Sequence, residues 1–290
     1  MNQLDTKTRA RVIACLVEGN SIRATCRMTG AAKGTVLKLL ADIGEACADY
    51  LDRTLVNLPC KRVQCDEIWS FCYCKEKNVP ESRRNDPGVG SVWTWTAIDA
   101  DTKLIVSHLI GSRDMQCAIT FMKDVASRLA NRVQLTTDGL KAYLYAVGLA
   151  FQGEVDYAQL VKLYGQDRSG EATYSPAQCT GVRVDVIRGT PDREHTSTSY
   201  VERSNLTLRM ASRRFTRLTN AFSKKIDNLD HAVALHLMHY NFCRVHQTIK
   251  TTPAIAAGVA DHVWTIEEVV SLIPAPVVAP WGSKRAANSN

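Results

Sequence analysis

Apolar positions in the first part of the chain recur at helical spacing. In "DTKTRARVIACLVE" the residues Val12, Ile13, Leu16 and Val17 share one face, which predicts a helix over 5–18. Gly19 and Asn20 break the pattern, Ser21 can cap a short helix "IRATCRMT", and Gly30 ends it. The run "AAKGTVLKLLADIGEACADYLDRTL" continues as a long helix toward Pro59. Two short helices, a glycine turn and a third helix make a helix-turn-helix pattern across 1–58. The third helix opens with Lys33, Thr35 and Lys38, small or basic side chains suited to a DNA groove. The plainer alternative is a small helical bundle with a solvated basic face.

After Pro59 the period shortens. "CKRVQCDEIWSFCYCKEKN" is β-branched and aromatic, and "SVWTWTAIDADTKLIVSHLIG" reads as two strands joined at "DADTK". "RDMQCAITFMKDVASRLAN" returns to helical spacing, "RVQLTTDG" is a short strand stopped by Gly139, and "LKAYLYAVGLAF" is again helical. Three strands, helix, strand, helix predict an α/β fold: a mixed sheet flanked by helices, preceded by the all-α segment. The stretch 152–195 is less regular, with one strand at "GVRVDVIRG", and reads as an insertion within one α/β domain spanning 59–260. Helices are expected at 198–217 and 227–243. Residues 261–290 are expected to form a short helix and a flexible tail.

Charge adds a partner to this picture. The net charge of +7 is modest, but it is concentrated. Residues 1–40 hold seven bases against two acids, and Arg203 to Lys225 hold seven Lys/Arg with no acid. Two separated basic patches point to a polyanion. No apolar stretch approaches the roughly 20 residues of a membrane span, and the first twenty residues lack a signal-peptide core. A cytoplasmic protein is the expectation, and its ten cysteines then read as free thiols. Cys60, Cys65, Cys72 and Cys74 lack the repeated pairs of a structural zinc site and fit better as small strand residues. Trp93, Trp95 and Trp264 read as core, and His236, His239 and His246 as exposed or core side chains rather than metal ligands.

Two acids lie where strands can bring them together. Asp66 is within "VQCDEIWSF", and Asp138 directly follows "VQLTT". On neighbouring strands their carboxylates would repel unless a cation lay between them. Hard cations such as Mg²⁺ favour such oxygens and keep waters for substrate phosphates. Two ions about 4 Å apart would serve phosphodiester chemistry. Glu67 adjoins Asp66, but strand neighbours point to opposite faces, so Asp66 is preferred. Glu202 is the favoured third acid. On its helix Val201, Leu208 and Phe215 form an apolar stripe, while Glu202, Arg209 and Arg213 share another face. Glu171, in loop-like "DRSGEATYSP", and Glu194, beside Asp192, Arg193 and His195, are its rivals.

"CDEIW", "TTDG" and "YVERSNLTLR" resemble the three acidic signatures of DDE transposases, most closely the insertion-sequence-one type. Arg209, seven residues after Glu202, matches the basic residue that follows that family's third acid. "RRFTRLTNAFSKK", "HYNFCRVHQT" and "TTPAIAAG" are similar to the segment beyond it, so the resemblance runs from about Arg62 to Gly258. It implies an RNase H-like fold with Asp66, Asp138 and Glu202 as a catalytic, metal-binding triad. It also implies two Mg²⁺ ions, with Mn²⁺ as a substitute, acting in DNA strand cleavage and strand transfer. Element ends and target DNA, both double-stranded, would be the partners, and Lys33, Thr35, Lys38, Arg209, Arg213, Arg214 and Arg217 the candidate DNA contacts. A homo-oligomer on DNA is expected, in a bacterial cytoplasm and at the nucleoid. A domesticated, non-cutting regulator and a structure-selective RNase H-like nuclease are the competing readings.

Overall fold

The computed structural model describes residues 4–165, 179–216 and 220–274. Three helices lead: α1 (Thr6–Val17), α2 (Ile22–Thr29) and α3 (Lys33–Thr54). Asp5 caps the first by accepting from the Thr8 amide at 2.7 Å, and Ser21 caps the second from Ala24 at 3.1 Å. Gly30 ends α2 in the left-handed region at φ 74°, where a side chain would be strained. The helix boundaries follow the sequence pattern closely.

The strands are β1 (Arg62–Cys72), β2 (Gly90–Asp99) and β3 (Ile105–Gly111), then β4 (Val133–Thr137), β5 (Val155–Tyr164) and β6 (Cys179–Arg188). They form one mixed sheet in the order β3-β2-β1-β4-β5-β6. β1 runs antiparallel to β2 and parallel to β4, β4 parallel to β5, and the edge pairs β2–β3 and β5–β6 are antiparallel. A mixed sheet of this layout, flanked by helices, is consistent with an RNase H-like fold.

Side-chain alternation divides the sheet into two faces. On one, Trp95 of β2 is buried against Phe121 of α4 (Met115–Arg128) and Tyr143 of α5 (Lys141–Phe151). On the other, Thr96 meets α6 (Ser199–Ala211), its hydroxyl bonding Asn205 Oδ1 at 3.1 Å. α7 (Ile226–Met238) packs on α3, and the short α8 (Pro253–Ala256) and α9 (Ile266–Ser271) complete the chain's ordered elements among the described residues. The leading helices share one continuous apolar cluster with the sheet, including Val36, Leu40 and Ile43 of α3.

Three sequence expectations changed. Residues 155–164, part of the stretch whose pattern is irregular, are a full strand inserted beside β4 in the main sheet. The helix expected over 198–217 stops at Ala211, because Ser212 is extended at φ −118°, ψ 110°. Arg213–Phe215 then form a 3₁₀ turn that drives Phe215 into the core, so Arg213 does not continue the helical face of Glu202 and Arg209. Arg217 and Glu171 lie outside the described residues, as does the tail beyond Pro274. Trp93 is also only half-buried, its ring lying under the Arg113 guanidinium at 4.9 Å.

The α3–α7 crossing depends on a glycine. A Cβ on Gly44 would stand 2.3 Å from His231 Cβ and 2.5 Å from its Cα, so the helices touch backbone to backbone there. Gly44→Ala is expected to destabilise the chain by about 1–3 kcal/mol through this overpacking, despite alanine's better helix propensity. Urea unfolding of the variant against the parent measures the difference.

Candidate active site

β1 and β4 are paired in parallel through Cys65 and Thr137, so the next residues, Asp66 and Asp138, stand side by side. β4 ends at Thr137, and Asp138 opens into a turn by accepting from the Leu140 amide at 3.0 Å. β1 runs on to Cys72, where the flank that β4 leaves is met only by a single parallel bridge to Ser223 among the described residues. The site therefore forms where one strand of a parallel pair stops and the other continues.

Glu67 joins the two aspartates. Its carboxylate lies on the α4–α5 face, accepting from Tyr143 Oη at 3.1 Å and from Arg113 Nε at 2.6 Å. Asp66 lies on the opposite face, accepting from Asn205 Nδ2 of α6 at 2.9 Å. Alternation thus holds, yet one ligand oxygen from each of Asp66, Glu67 and Asp138 lies within 4.8 Å of the others. β4 ends one residue before Asp138, and Arg113 bridges the two sides by reaching both Glu67 and Asp138, the latter at 3.4 Å. The expectation that strand geometry leaves only one of Asp66 and Glu67 near Asp138 does not hold.

Glu202 approaches from α6. The buried side chain of Gln64 in β1 accepts from the Tyr200 and Val201 amides at 2.9 and 3.2 Å, tying the helix N-terminus to the sheet. One turn on, Asn205 links α6 to Asp66 and to Thr96. Val201 and Leu208 fill the apolar interface, as their spacing predicted. The Glu202 carboxylate accepts from Lys162 Nζ of β5 and from Thr198 Oγ1, both at 2.5 Å. It is outside the tight three-acid group, yet near enough for its charge to act on Asp66 and Asp138. Glu194 is exposed in a 3₁₀ turn.

The charges show the strain of this grouping. Burial, then the Asp138 and Glu202 charges, push Asp66 up to about 6 despite the Asn205 hydrogen bond. Burial and the Asp138 charge push Glu67 up to about 7 against the pull of Arg113. Asp138 is raised as well, first by burial. Crowded, half-dry carboxylate oxygens that resist ionisation are a donor set compatible with a hard divalent cation.

The basic residues singled out from sequence are scattered. Lys33, Thr35 and Lys38 are exposed on the first turns of α3, with Lys38 paired to Asp42 at 2.6 Å. Arg213 is exposed, Arg209 is half-buried, and Arg214 turns inward to donate to Ser223 Oγ at 2.6 Å. Gln64, Arg113, Lys162 and Asn205 also serve the site, beyond the residues that the sequence pattern singles out. Only Asn205 carried a local signal, lying three residues after Glu202 and so on the same helical side.

No protein-family model matches the chain, and no curated protein matches it in sequence. Among solved structures, the cryo-EM piggyBac transposase synaptic complex with hairpin DNA aligns at 9% identity over 92% of this chain and 70% of that one, with a TM-score of 0.38. The crystal structure of the Mos1 strand transfer complex aligns at 11% identity over 81% and 76%, with a TM-score of 0.25. Likenesses this weak carry no assignment, and function has to be argued from the side chains. No helix among the described residues is long and apolar enough to cross a membrane.

Raised carboxylate pKa values set the sign of a pH effect. The folded state binds protons at Asp66 and Glu67 that the unfolded chain has already released, so metal-free stability falls as pH rises from about 4 to 7. Mg²⁺ acts against the same repulsion. Its addition is expected to raise Tm clearly at pH 8 and little at pH 5, where protons compete for the oxygens. Differential scanning fluorimetry with and without Mg²⁺ across this range checks both slopes.

Proposed function

We propose that the chain is a DDE-type transposase, binding the ends of a mobile element and catalysing metal-dependent DNA cleavage and strand transfer. The observation that carries this is the meeting of Asp66 and Asp138 beyond the paired part of β1 and β4, with α6, the helix that bears Glu202, anchored beside them by Gln64 and Asn205. The ordered signatures around those three acids support the same reading.

In this account Asp66, Asp138 and Glu202 hold the divalent ions, Mg²⁺ or Mn²⁺, which when bound would neutralise charge on the reacting phosphate and activate the attacking oxygen. The chain's own residues then have distinct tasks. Asn205 orients the Asp66 carboxylate, and Gln64 fixes the helix that brings Glu202 in. Lys162 balances the Glu202 charge, and Arg113 does the same for Glu67 and Asp138. Such cations beside a phosphate site also favour binding of a DNA backbone. Water attack would nick the element end, and the freed 3′-hydroxyl would then attack target DNA. Positioning and charge neutralisation suffice, with no covalent enzyme intermediate.

The leading helices would read the element ends as a helix-turn-helix domain over 1–58, with Lys33, Thr35 and Lys38 on the recognition helix. The catalytic domain would span 59–260, and Arg209, Arg213, Arg214 and Arg217 would contribute on that side. A multimer on paired ends is the expected working form, in a bacterial cytoplasm at the nucleoid.

Strand transfer with oligonucleotide duplexes bearing the inverted repeats that flank the gene tests the proposal. Asp138→Asn is expected to abolish product. Asn205→Ala should lower the rate by about 10–100-fold, the usual cost of losing a partner that orients a metal ligand. Undiminished product from Asp138→Asn would sink the triad. A parent chain that binds the ends in Mg²⁺ and Mn²⁺ yet cuts none would favour the non-cutting regulator.

A further inference from the structure

A second cavity, apart from the carboxylates, opens where α1, α2 and α3 meet the Arg213–Phe215 turn and α7. Its volume is about 680 Å³, within the roughly 300–1,000 Å³ range of small-molecule sites. Its floor is apolar, with Leu16, Leu40, Leu235 and Phe222. Around them stand five cations: Arg23, Lys33, Arg213, Arg214 and Lys224. No Asp or Glu is among the described residues that line it.

Two buried side chains in its wall have polar atoms without partners. His236 is 5% exposed, and neither ring nitrogen has a hydrogen-bond partner. Arg214 spends Nη1 on Ser223 Oγ, but its buried Nη2 has none. Buried donors and acceptors are almost always satisfied, so two orphans just behind one wall offer partners to a ligand once either side chain turns toward the cavity. Their chemistry differs usefully. Burial holds His236 neutral, so its ring offers one donor and one acceptor, as the edge of a nucleobase does. Arg214, beside Arg213, offers a guanidinium to a phosphate.

We propose that this cavity is a nucleotide site, taking the base over its apolar floor toward His236 and the phosphate at the Arg213–Arg214 side. The nucleotide can come from two sources: an unpaired nucleotide of a DNA strand held between the leading helices and the sheet, or a free nucleoside phosphate. The first source rests on the transposase reading, and the second does not.

The test uses the full chain in EDTA, so that it is independent of the carboxylate site. Calorimetry measures binding of dAMP and ATP, with pyrophosphate as the phosphate-only control. Fluorescence of 2-aminopurine then compares a duplex carrying it unpaired with the same duplex fully paired. Free nucleotides binding more tightly than pyrophosphate identifies the free source. A preference of about tenfold for the unpaired duplex, the upper end of what one neutral hydrogen bond contributes, identifies the strand source. In either case His236→Leu and Arg214→Met are expected to remove the preference. The exposed pair Arg23→Gln/Lys224→Gln should weaken binding several-fold, and it guards against misfolding of the buried variants. Asp138→Asn should bind as the parent does, which separates this claim from strand transfer. The proposal is overturned if neither nucleotide form is preferred over its control, or if the Arg23/Lys224 variant binds as the parent does.

Discussion

Like-charge repulsion between carboxylates is the constraint around which the site is arranged. Asp66 and Asp138 are brought together by the hydrogen-bond register of β1 and β4, which the buried sheet enforces. Burial then disfavours both charges, Glu202 adds to the cost at each, and the Asp138 charge adds to it at Asp66. Every other polar group nearby acts on that cost. Asn205 and the Leu140 amide favour the ionised aspartates, while Arg113 and Lys162 supply positive charge at the rim. A sheet built for stability alone would gain by placing apolar side chains there.

The anchoring of α6 couples this site to the core. Gln64 and Asn205 are buried and hydrogen-bonded, one at the helix N-terminus and one a turn later. Together with Val201 and Leu208 they fix both rotation and approach of the helix. Glu202 is thereby held near the aspartates, its carboxylate on Lys162 and Thr198, while the packing is left to its neighbours. The break at Ser212 separates this rigid helix from the basic segment that follows.

Much of this architecture was legible because it depends on periodicity. β-Branched and aromatic runs marked β1 to β3, Gly139 marked the end of β4, helical spacing marked α1 to α5, and Ser21 and Gly30 marked helix boundaries by local chemistry. β5 escaped because its one alternating run, "VDYAQLVKLY", is flanked by polar residues and lies in a stretch rich in turn formers. The end of α6 escaped because an arginine-rich run keeps helical spacing even where Ser212 leaves the helix. Asp66 and Asp138 could be read as candidates from their places in the strands. That Glu67 also reaches the group could not, since it depends on β4 stopping one residue before Asp138. Lys162 and Arg113 were likewise silent, because an ion pair across a sheet leaves no mark in local spacing.

The central claim is that Glu202, rather than Glu67, completes the metal cage with Asp66 and Asp138. Crystals grown with Mn²⁺ and read by anomalous scattering address it directly. The account predicts a peak bonded to Asp66, Asp138 and Glu202, with the Lys162 ammonium drawn off the Glu202 carboxylate. A peak held by Asp66, Glu67 and Asp138, with Glu202 still paired to Lys162, would contradict it.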